Sequence, residues 1–209
     1  MNIIIFGPQG SGKGTQAEII SKKFNIPHIS TGDIFRAKKK ESSEEGKIIA
    51  DLIDNGNLVP DDITNQLIEK RLQQSDAQAG FILDGYPRNM RQADFLDKCT
   101  RLDYAIEIFL NDGESVRRIS NRRSCPKCNN IYHLIFNPPQ NNKKCDKCKS
   151  KLIIRKDDKK RAILKRLKTY HSLTEPIINY YKEKNIYHQV DGAPQIKVVA
   201  KAILHILKM

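Results

Sequence analysis

The sequence predicts an α/β fold, a mainly parallel β-sheet covered by helices on both faces and interrupted by two insertions, one polar and helical, one small and β-rich. Three observations lead there. Short β-branched apolar runs at 2–6, 81–83, 104–110 and 187–190 alternate with segments of helical spacing. The first run ends in a Gly-rich turn that opens into a helix. Between residues 121 and 158 the alternation stops, at a stretch holding four cysteines and Asn137-Pro138-Pro139. The 209 residues suffice for one substantial core, and 39% hydrophobic with 29% charged content excludes collagen-like, coiled-coil and largely disordered classes.

In order along the chain, residues 2–6 form a buried strand ending at Gly7, and Ala17, Ile20 and Phe24 recur at helical spacing beyond the glycines. A short apolar stretch at 26–29 precedes Ser30-Thr31-Gly32-Asp33. From there to Gly56 the sequence is polar and helical, until 57–62 break it. Pro60 followed by Asp61 and Asp62 starts a helix running to about Gln74. Residues 81–83 form a strand ending at Asp84-Gly85, residues 89–99 a helix in which Cys99 is expected to be buried, 104–110 a strand, and a further helix begins near Gly113. Two β-like stretches, 131–133 and 152–154, lie among the cysteines. Helix, strand (187–190) and helix (195–207) then resume.

The formal charge is +13, which alone would point to nucleic acid or an anionic membrane face. Its location changes that reading. Residues 117–168 hold 18 Lys and Arg against 3 Asp and Glu, a net of +15, which leaves −2 for the rest of the chain. No apolar run approaches the roughly 20 residues of a membrane-spanning helix. Met1 leads straight into the first strand without a basic leader or small-residue cleavage site, so a cytoplasmic protein without secretory signal is expected.

Gly7-Pro8-Gln9-Gly10-Ser11-Gly12-Lys13-Gly14-Thr15 lies between strand and helix. Glycines let the backbone curl so that several N–H groups point inward, the helix N-terminus adds partial positive charge, and Lys13 supplies a mobile cation for phosphates. Gly14 occupies the place where the strict phosphate-loop pattern has Ser or Thr, and Thr15 follows one position later. A flexible Gly-rich turn is the bland alternative, and it leaves the lysine and hydroxyl unexplained.

Cys125-Pro126-Lys127-Cys128 and Cys145-Asp146-Lys147-Cys148 fit a tetrahedral four-thiolate zinc site. A redox motif needs only one such pair, and an odd total of five cysteines argues against a disulfide framework. Four protein ligands leave no open position, so the expected Zn2+ is structural. His133 could replace one ligand, although a surface histidine beside Tyr132 is the simpler reading.

Gly12-Lys13-Gly14-Thr15-Gln16, Ser30-Thr31-Gly32-Asp33 with Arg36, and Asp84-Gly85-Tyr86-Pro87-Arg88 with Gln92 together resemble the adenylate kinases among the nucleoside monophosphate kinases, in order and spacing over nearly the whole chain. The resemblance implies a core of 1–29, 60–120 and 159–209, a nucleoside-monophosphate-binding insertion at 30–59, and a zinc-binding lid at 121–158. It implies that MgATP and AMP give two ADP, with Lys13, Asp84, Arg88, Arg122, Arg155 and Arg166 catalytic. ATP would meet Gly10, Ser11, Gly12, Lys13, Gly14, Thr15, Arg118, Arg122, Ile131, Tyr132 and Pro194. AMP would meet Thr31, Arg36, Asn57, Leu58, Val59, Gly85, Tyr86, Pro87, Arg88, Gln92, Arg155 and Arg166.

Physical chemistry supports several of these roles. A carboxylate at Asp84, at the end of a parallel strand, can hold Mg2+ through water. Guanidinium forks at Arg36 and Arg88 match phosphate oxygens, although Arg36 precedes Lys38-Lys39-Lys40 and a solvated basic face competes for it. By resemblance, Thr31 and Gln92 imply AMP over UMP or CMP, since the related pyrimidine kinases usually carry Ala and Asn there. Asp157 and Asp158 would support the arginines. Asn121 stands where the family usually has Gly, and Lys159-Lys160-Arg161 where acidic residues are usual. Two rival functions remain: a pyrimidine-specific or GTP-using kinase, and a nucleic-acid-binding zinc ribbon on a nucleotide-binding scaffold. The second lacks an aromatic stacking surface and leaves Thr31, Arg88 and Gln92 without work. The expected partners are ATP, AMP and ADP, with no nucleic acid and no membrane, and the expected state is a monomer. The lid lysines Lys143, Lys144, Lys147, Lys149 and Lys151 exceed what two nucleotides require.

Overall fold

A computed structural model of the chain describes residues 1–141 and 143–208. Strands β1 (Asn2–Phe6), β2 (His28–Ser30), β3 (Phe81–Asp84), β4 (Tyr104–Phe109) and β7 (Tyr187–Asp191) form a parallel sheet in the order β2-β3-β1-β4-β7. Strands β5 (Arg122–Ser124) and β6 (Ile131–His133) form a separate antiparallel pair.

The central strand explains the layering. Successive strand side chains point to opposite faces. Ile4 and Phe6 join Leu83, Tyr86, Leu96, Ile177 and Tyr181 on one face, under helices α4 (Asp61–Leu72), α5 (Met90–Cys99) and α8 (Ile177–Glu183). Ile3 and Ile5 join Ala17, Ile20, Ile106, Val199 and Ile203 on the other, under α1 (Lys13–Phe24) and α9 (Ile196–Ile206). Buried on both faces, β1 shows a continuous apolar run and no alternation. Its C-terminal end is thereby held rigidly where the Gly-rich loop begins.

The polar helical stretch divides into α2 (Thr31–Lys38) and α3 (Glu44–Asp54), because Ser43 accepts from the Gly46 N–H and caps a new helix. Phe35, Ile49 and Val59 give this insertion its own small core. Helices α6 (Asp112–Ser120) and α7 (Lys160–Thr169) flank the cysteine module and pack through Ile119, Ile163 and Leu167. After α7 the chain makes a π-helical turn, Tyr170–Thr174, in which the Glu175 N–H donates to the Tyr170 carbonyl at 2.9 Å. Pro176 accounts for it, since proline has no N–H to continue the α-ladder and crowds the carbonyl four residues back.

One strand was not expected from the sequence, and two expectations change. Strand β5, of sequence Arg-Arg-Ser, has no apolar pattern and exists because β6 pairs with it. Residues 152–154 form no strand: Ile153 makes an isolated bridge with Ser124, and the preceding Lys151 one with Lys144. Cys99 is exposed, because it is the last residue of α5, beyond the buried face of Gln92, Ala93 and Leu96. No helix among the described residues is long and apolar enough to cross a membrane.

Candidate active site

The C-terminal ends of β1 and β3 open into a cleft of about 730 Å³, bounded by the Gly-rich loop, α2, the segment after β3, and the cysteine module. Parallel sheets gather ligands at this edge. Gly7 leaves β1 at φ 137°, and a Cβ there would lie 2.3 Å from the Ile108 carbonyl oxygen, so only glycine lets the loop turn against β4. Gly12 caps α1 in a left-handed conformation with φ 95°. The Lys13 ammonium donates to the carbonyls of Gly7 at 2.8 Å and Pro8 at 2.7 Å, folding across its own loop. Burial pulls its pKa down to about 8; Asp84 opposes that, while Arg88, Arg166 and Arg122 add to it.

Asp84 ends β3 opposite the loop, and a Cβ on Gly14 would touch its Oδ2 at 3.4 Å. Burial opposes ionisation of this carboxyl, but His28 and Lys13 outweigh it and hold it below the usual carboxylate range. His28 Nε2 lies 3.4 Å from Asp84 Oδ2. Sequence reading missed His28, since a lone histidine in a short apolar strand carries no signal of its neighbour across the sheet.

On the opposite side, Arg88 Nε donates to the Gly85 carbonyl at 2.7 Å, and the Thr31 hydroxyl donates to the same oxygen at 3.0 Å. Gln92 is buried. Its Oε1 accepts from the Arg88 backbone N–H at 2.8 Å and its Nε2 donates to Asp61 at 2.7 Å, which leaves one amide hydrogen and one lone pair for a ligand. Asp61, read from sequence only as a helix start, is the partner that orients this amide. Asn57, Leu58, Val59, Gly85 and Pro87 line the cleft, and Arg36 lines it while pairing with Asp33 at 2.7 Å. Tyr86 does not: its ring is fully buried and its hydroxyl donates to Asn65 at 2.7 Å, so only its backbone remains for a ligand.

The cysteine module and its flanks supply the remaining cations. Arg122 forms a two-pronged ion pair with buried Asp158, through Nε at 2.9 Å and through Nη2. Arg166 pairs with Asp157 at 2.8 Å. Burial, then the neighbouring guanidiniums, lowers Arg88 and Arg155 to about 10. Arg118 donates to the carbonyls of Gly192 at 2.8 Å and Ala193 at 2.7 Å beside Pro194, and its guanidinium lies 5.0 Å from the Phe136 ring centre. Gly10, Ser11, Thr15, Ile131 and Tyr132 complete the lining, although the Tyr132 ring is packed inside the module. Lys13, Arg36, Arg88, Arg122, Arg155 and Arg166 thus face one cleft, and burial first, then repulsion between neighbouring cations, lowers Lys13, Arg88, Arg155 and Arg166, a repulsion that a polyanion would relieve.

The sulfur atoms of Cys125, Cys128, Cys145 and Cys148 all lie within 4.8 Å of one another. Sγ separations of 3.3 Å (125–148), 3.5 Å (128–145) and 3.6 Å (128–148) approach the edge of about 3.8 Å that Zn–S bonds of about 2.3 Å would give a tetrahedron. The four cysteines can hold a metal ion. His133 is no ligand to it: its Nδ1 accepts from the Ile135 and Phe136 N–H groups.

A Gly-rich loop with its buried lysine on one wall and a shelf of guanidiniums on the other are suited to moving a phosphoryl group between two anionic tails, which places the protein among the phosphate-loop nucleotide kinases. Comparison with known proteins narrows this. The sequence matches the family model described as "Adenylate kinase" over residues 5–186. It is 44% identical over 212 residues to the adenylate kinase of Acetivibrio thermocellus, covering 99% of this chain and 98% of that protein. It is 44% identical over 213 residues to that of Archaeoglobus fulgidus (100% and 98%), and 45% over 212 residues to that of Clostridium beijerinckii (99% and 98%). The chain belongs to the adenylate kinase family.

Proposed function

We propose that the protein reversibly transfers the terminal phosphoryl group of MgATP to AMP, giving two ADP, and so serves nucleotide homeostasis and purine salvage. One observation carries the reading: Lys13 and the arginines Arg36, Arg88, Arg122, Arg155 and Arg166 converge on a cleft whose two ends differ, a phosphate loop at one and the Thr31–Gln92 pair at the other. The triphosphate lies along Gly10, Ser11, Gly12, Lys13, Gly14 and Thr15, with its base between Arg118 and Pro194 and beside the backbone of Ile131 and Tyr132. AMP lies against Thr31, Arg36, residues 57–59 and 85–88, and Gln92.

The attacking atom is already an anionic phosphate oxygen, so no general base is needed. What the chain must supply is alignment and charge stabilisation. Lys13 leaves its own loop carbonyls for the phosphates. Arg88 and Arg36 hold the acceptor phosphate, while Arg122, Arg155 and Arg166 meet the charge that spreads over the transferring group. Asp157 and Asp158 keep two of these guanidiniums oriented without a ligand. Asp84 and Thr15 suit Mg2+, which keeps most of its waters and binds through few protein oxygens; the ion neutralises phosphate charge when bound. The insertion at 30–59 and the lid at 121–158 close over the core, excluding water that would hydrolyse ATP. Zn2+ at the four cysteines would be structural, holding together a module whose buried apolar cluster, among the described residues, is Cys125, Tyr132, Cys145 and Leu152, with Cys148 beside them. The protein works as a cytoplasmic monomer, without membrane or nucleic-acid partners.

The test is a coupled assay of ADP formation from ATP with each nucleoside monophosphate in turn. AMP should be the preferred acceptor. Faster turnover with UMP or CMP, or none with any acceptor, would overturn the reading.

A further inference from the structure

Glu107 lies in mid-sheet on β4 and is 2% exposed. It has no cationic partner among the described residues. Its carboxylate is held by three neutral donors: the Tyr170 hydroxyl on Oε1 at 2.9 Å, and on Oε2 the Tyr187 hydroxyl at 2.6 Å and Gln189 Nε2 at 2.9 Å. A buried carboxylate costs stability compared with an apolar side chain of similar size, and neutral hydrogen bonds offset only part of that cost. The phosphotransfer scheme gives it no task.

Its neighbours supply one. Glu107 pairs in register with Phe6, the last residue of β1, and the next residue, Ile108, presents the carbonyl against which Gly7 packs. The carboxylate therefore sits on the rigid floor from which the phosphate loop rises. Tyr170 opens the π-helical turn, and Arg166 lies one turn before it on α7. Thr174 closes the turn, and its hydroxyl donates to the Arg88 carbonyl at 2.9 Å. One turn thus has the loop floor at one end, through Tyr170, and the Arg88 backbone at the other, through Thr174.

We infer that the Glu107–Tyr170 hydrogen bond is a positioning device that fixes Arg166 and Arg88 relative to the phosphate loop, so that both guanidiniums stand at the height of the transferring phosphoryl group. Neither Glu107 nor Tyr170 is a catalytic residue. The bond sets where two phosphate-facing arginines stand, through an irregular turn that would otherwise be free to shift. The inference rests on the phosphotransfer reading above.

The experiment compares Tyr170→Phe with Tyr187→Phe. Each removes one hydroxyl from the same carboxylate and keeps its ring, but Tyr187 lies on the edge strand β7, outside the π-helical turn, with its ring against Phe6. A displacement of 1 Å can cost about 10²-fold in rate. For a partial displacement, Tyr170→Phe should lower kcat about tenfold, with the KM values for ATP and AMP within about twofold of wild type, while Tyr187→Phe keeps wild-type kcat at a comparable loss of melting temperature. Thr174→Val, which cuts the other end of the turn, should also lower kcat selectively, and it decides the matter if Tyr170→Phe does not fold. Unchanged kcat in the folded Tyr170 or Thr174 variants overturns the inference, as does an equal fall in kcat for Tyr187→Phe. A wild-type protein that makes no ADP would instead overturn the phosphotransfer reading itself.

Discussion

Replacing Lys13 by Met should abolish turnover and yet favour the unliganded fold at neutral pH. Burial and the flanking arginines pull the ammonium from its ordinary 10.5 to about 8. At about 1.36 kcal/mol per unit, the charged lysine disfavours the folded state at pH 7 by about 3 kcal/mol. Losing its two bonds to the Gly7 and Pro8 carbonyls offsets about 2 kcal/mol of the gain, leaving a variant more stable by about 1 kcal/mol. The pH dependence is the sharper signature. Because the folded pKa lies below the unfolded one, the cost is full below pH 8, shrinks as pH rises from 8 towards 10.5, and vanishes above that. Between pH 7 and pH 9.5 the stability difference between variant and wild type should therefore fall by about 2 kcal/mol. That is about 4–8 °C in melting temperature for a chain of this size. Calorimetric melting without nucleotide at the two pH values measures it, alongside an ADP-forming assay in which kcat should fall by at least about 10²–10³. A stability difference that does not move with pH would refute the account of an ammonium strained by its surroundings. Normal turnover would remove the loop lysine from the mechanism.

Cys125→Ser or Cys145→Ser should lower the melting temperature and release metal, measured by a chelator-dye assay, with turnover at low temperature largely kept; complete inactivity of a well-folded variant would make the metal catalytic. Asp158→Asn breaks the buried pair with Arg122 and should cost about 3–5 kcal/mol by urea denaturation. His171 bridges Glu175 and Asp112, each at 2.9 Å, and these carboxylates raise its pKa above the usual imidazole range. Its contribution is then complete below about pH 6.5 and is lost as pH rises through the higher folded value. In His171→Gln that part of the pH dependence should be absent from melting curves.

Much of the fold was legible because its signals are local. The β-branched runs at β1, β3 and β4, the Pro60-Asp61-Asp62 helix start and the glycines around Lys13 each act within a few residues. The four cysteines were legible for a different reason: metal-ligand spacing is a covalent constraint written along the chain. Strand β5 was not legible, since Arg-Arg-Ser becomes a strand only when β6 supplies its partners. Nor were His28 beside Asp84, Asp61 beneath Gln92, or Glu107 under Tyr170. Each is an ordinary residue type whose meaning comes from a neighbour 56, 31 or 63 positions away.

The sequence by itself determined a phosphate loop between strand and helix, a paired-cysteine module and a segment of +15 charge, because backbone propensity, ligand spacing and composition are properties of contiguous residues. Only the tertiary structure decided that Lys13 and the arginines converge on one cleft, where burial first, and then neighbouring guanidiniums, lower the pKa values of Lys13, Arg88 and Arg155. It also decided that Tyr86 turns away from that cleft and that Gln92 is already half engaged. Desolvation and Coulomb interactions depend on distance through space, and that distance is set by how the parallel sheet brings the ends of β1, β2 and β3 together.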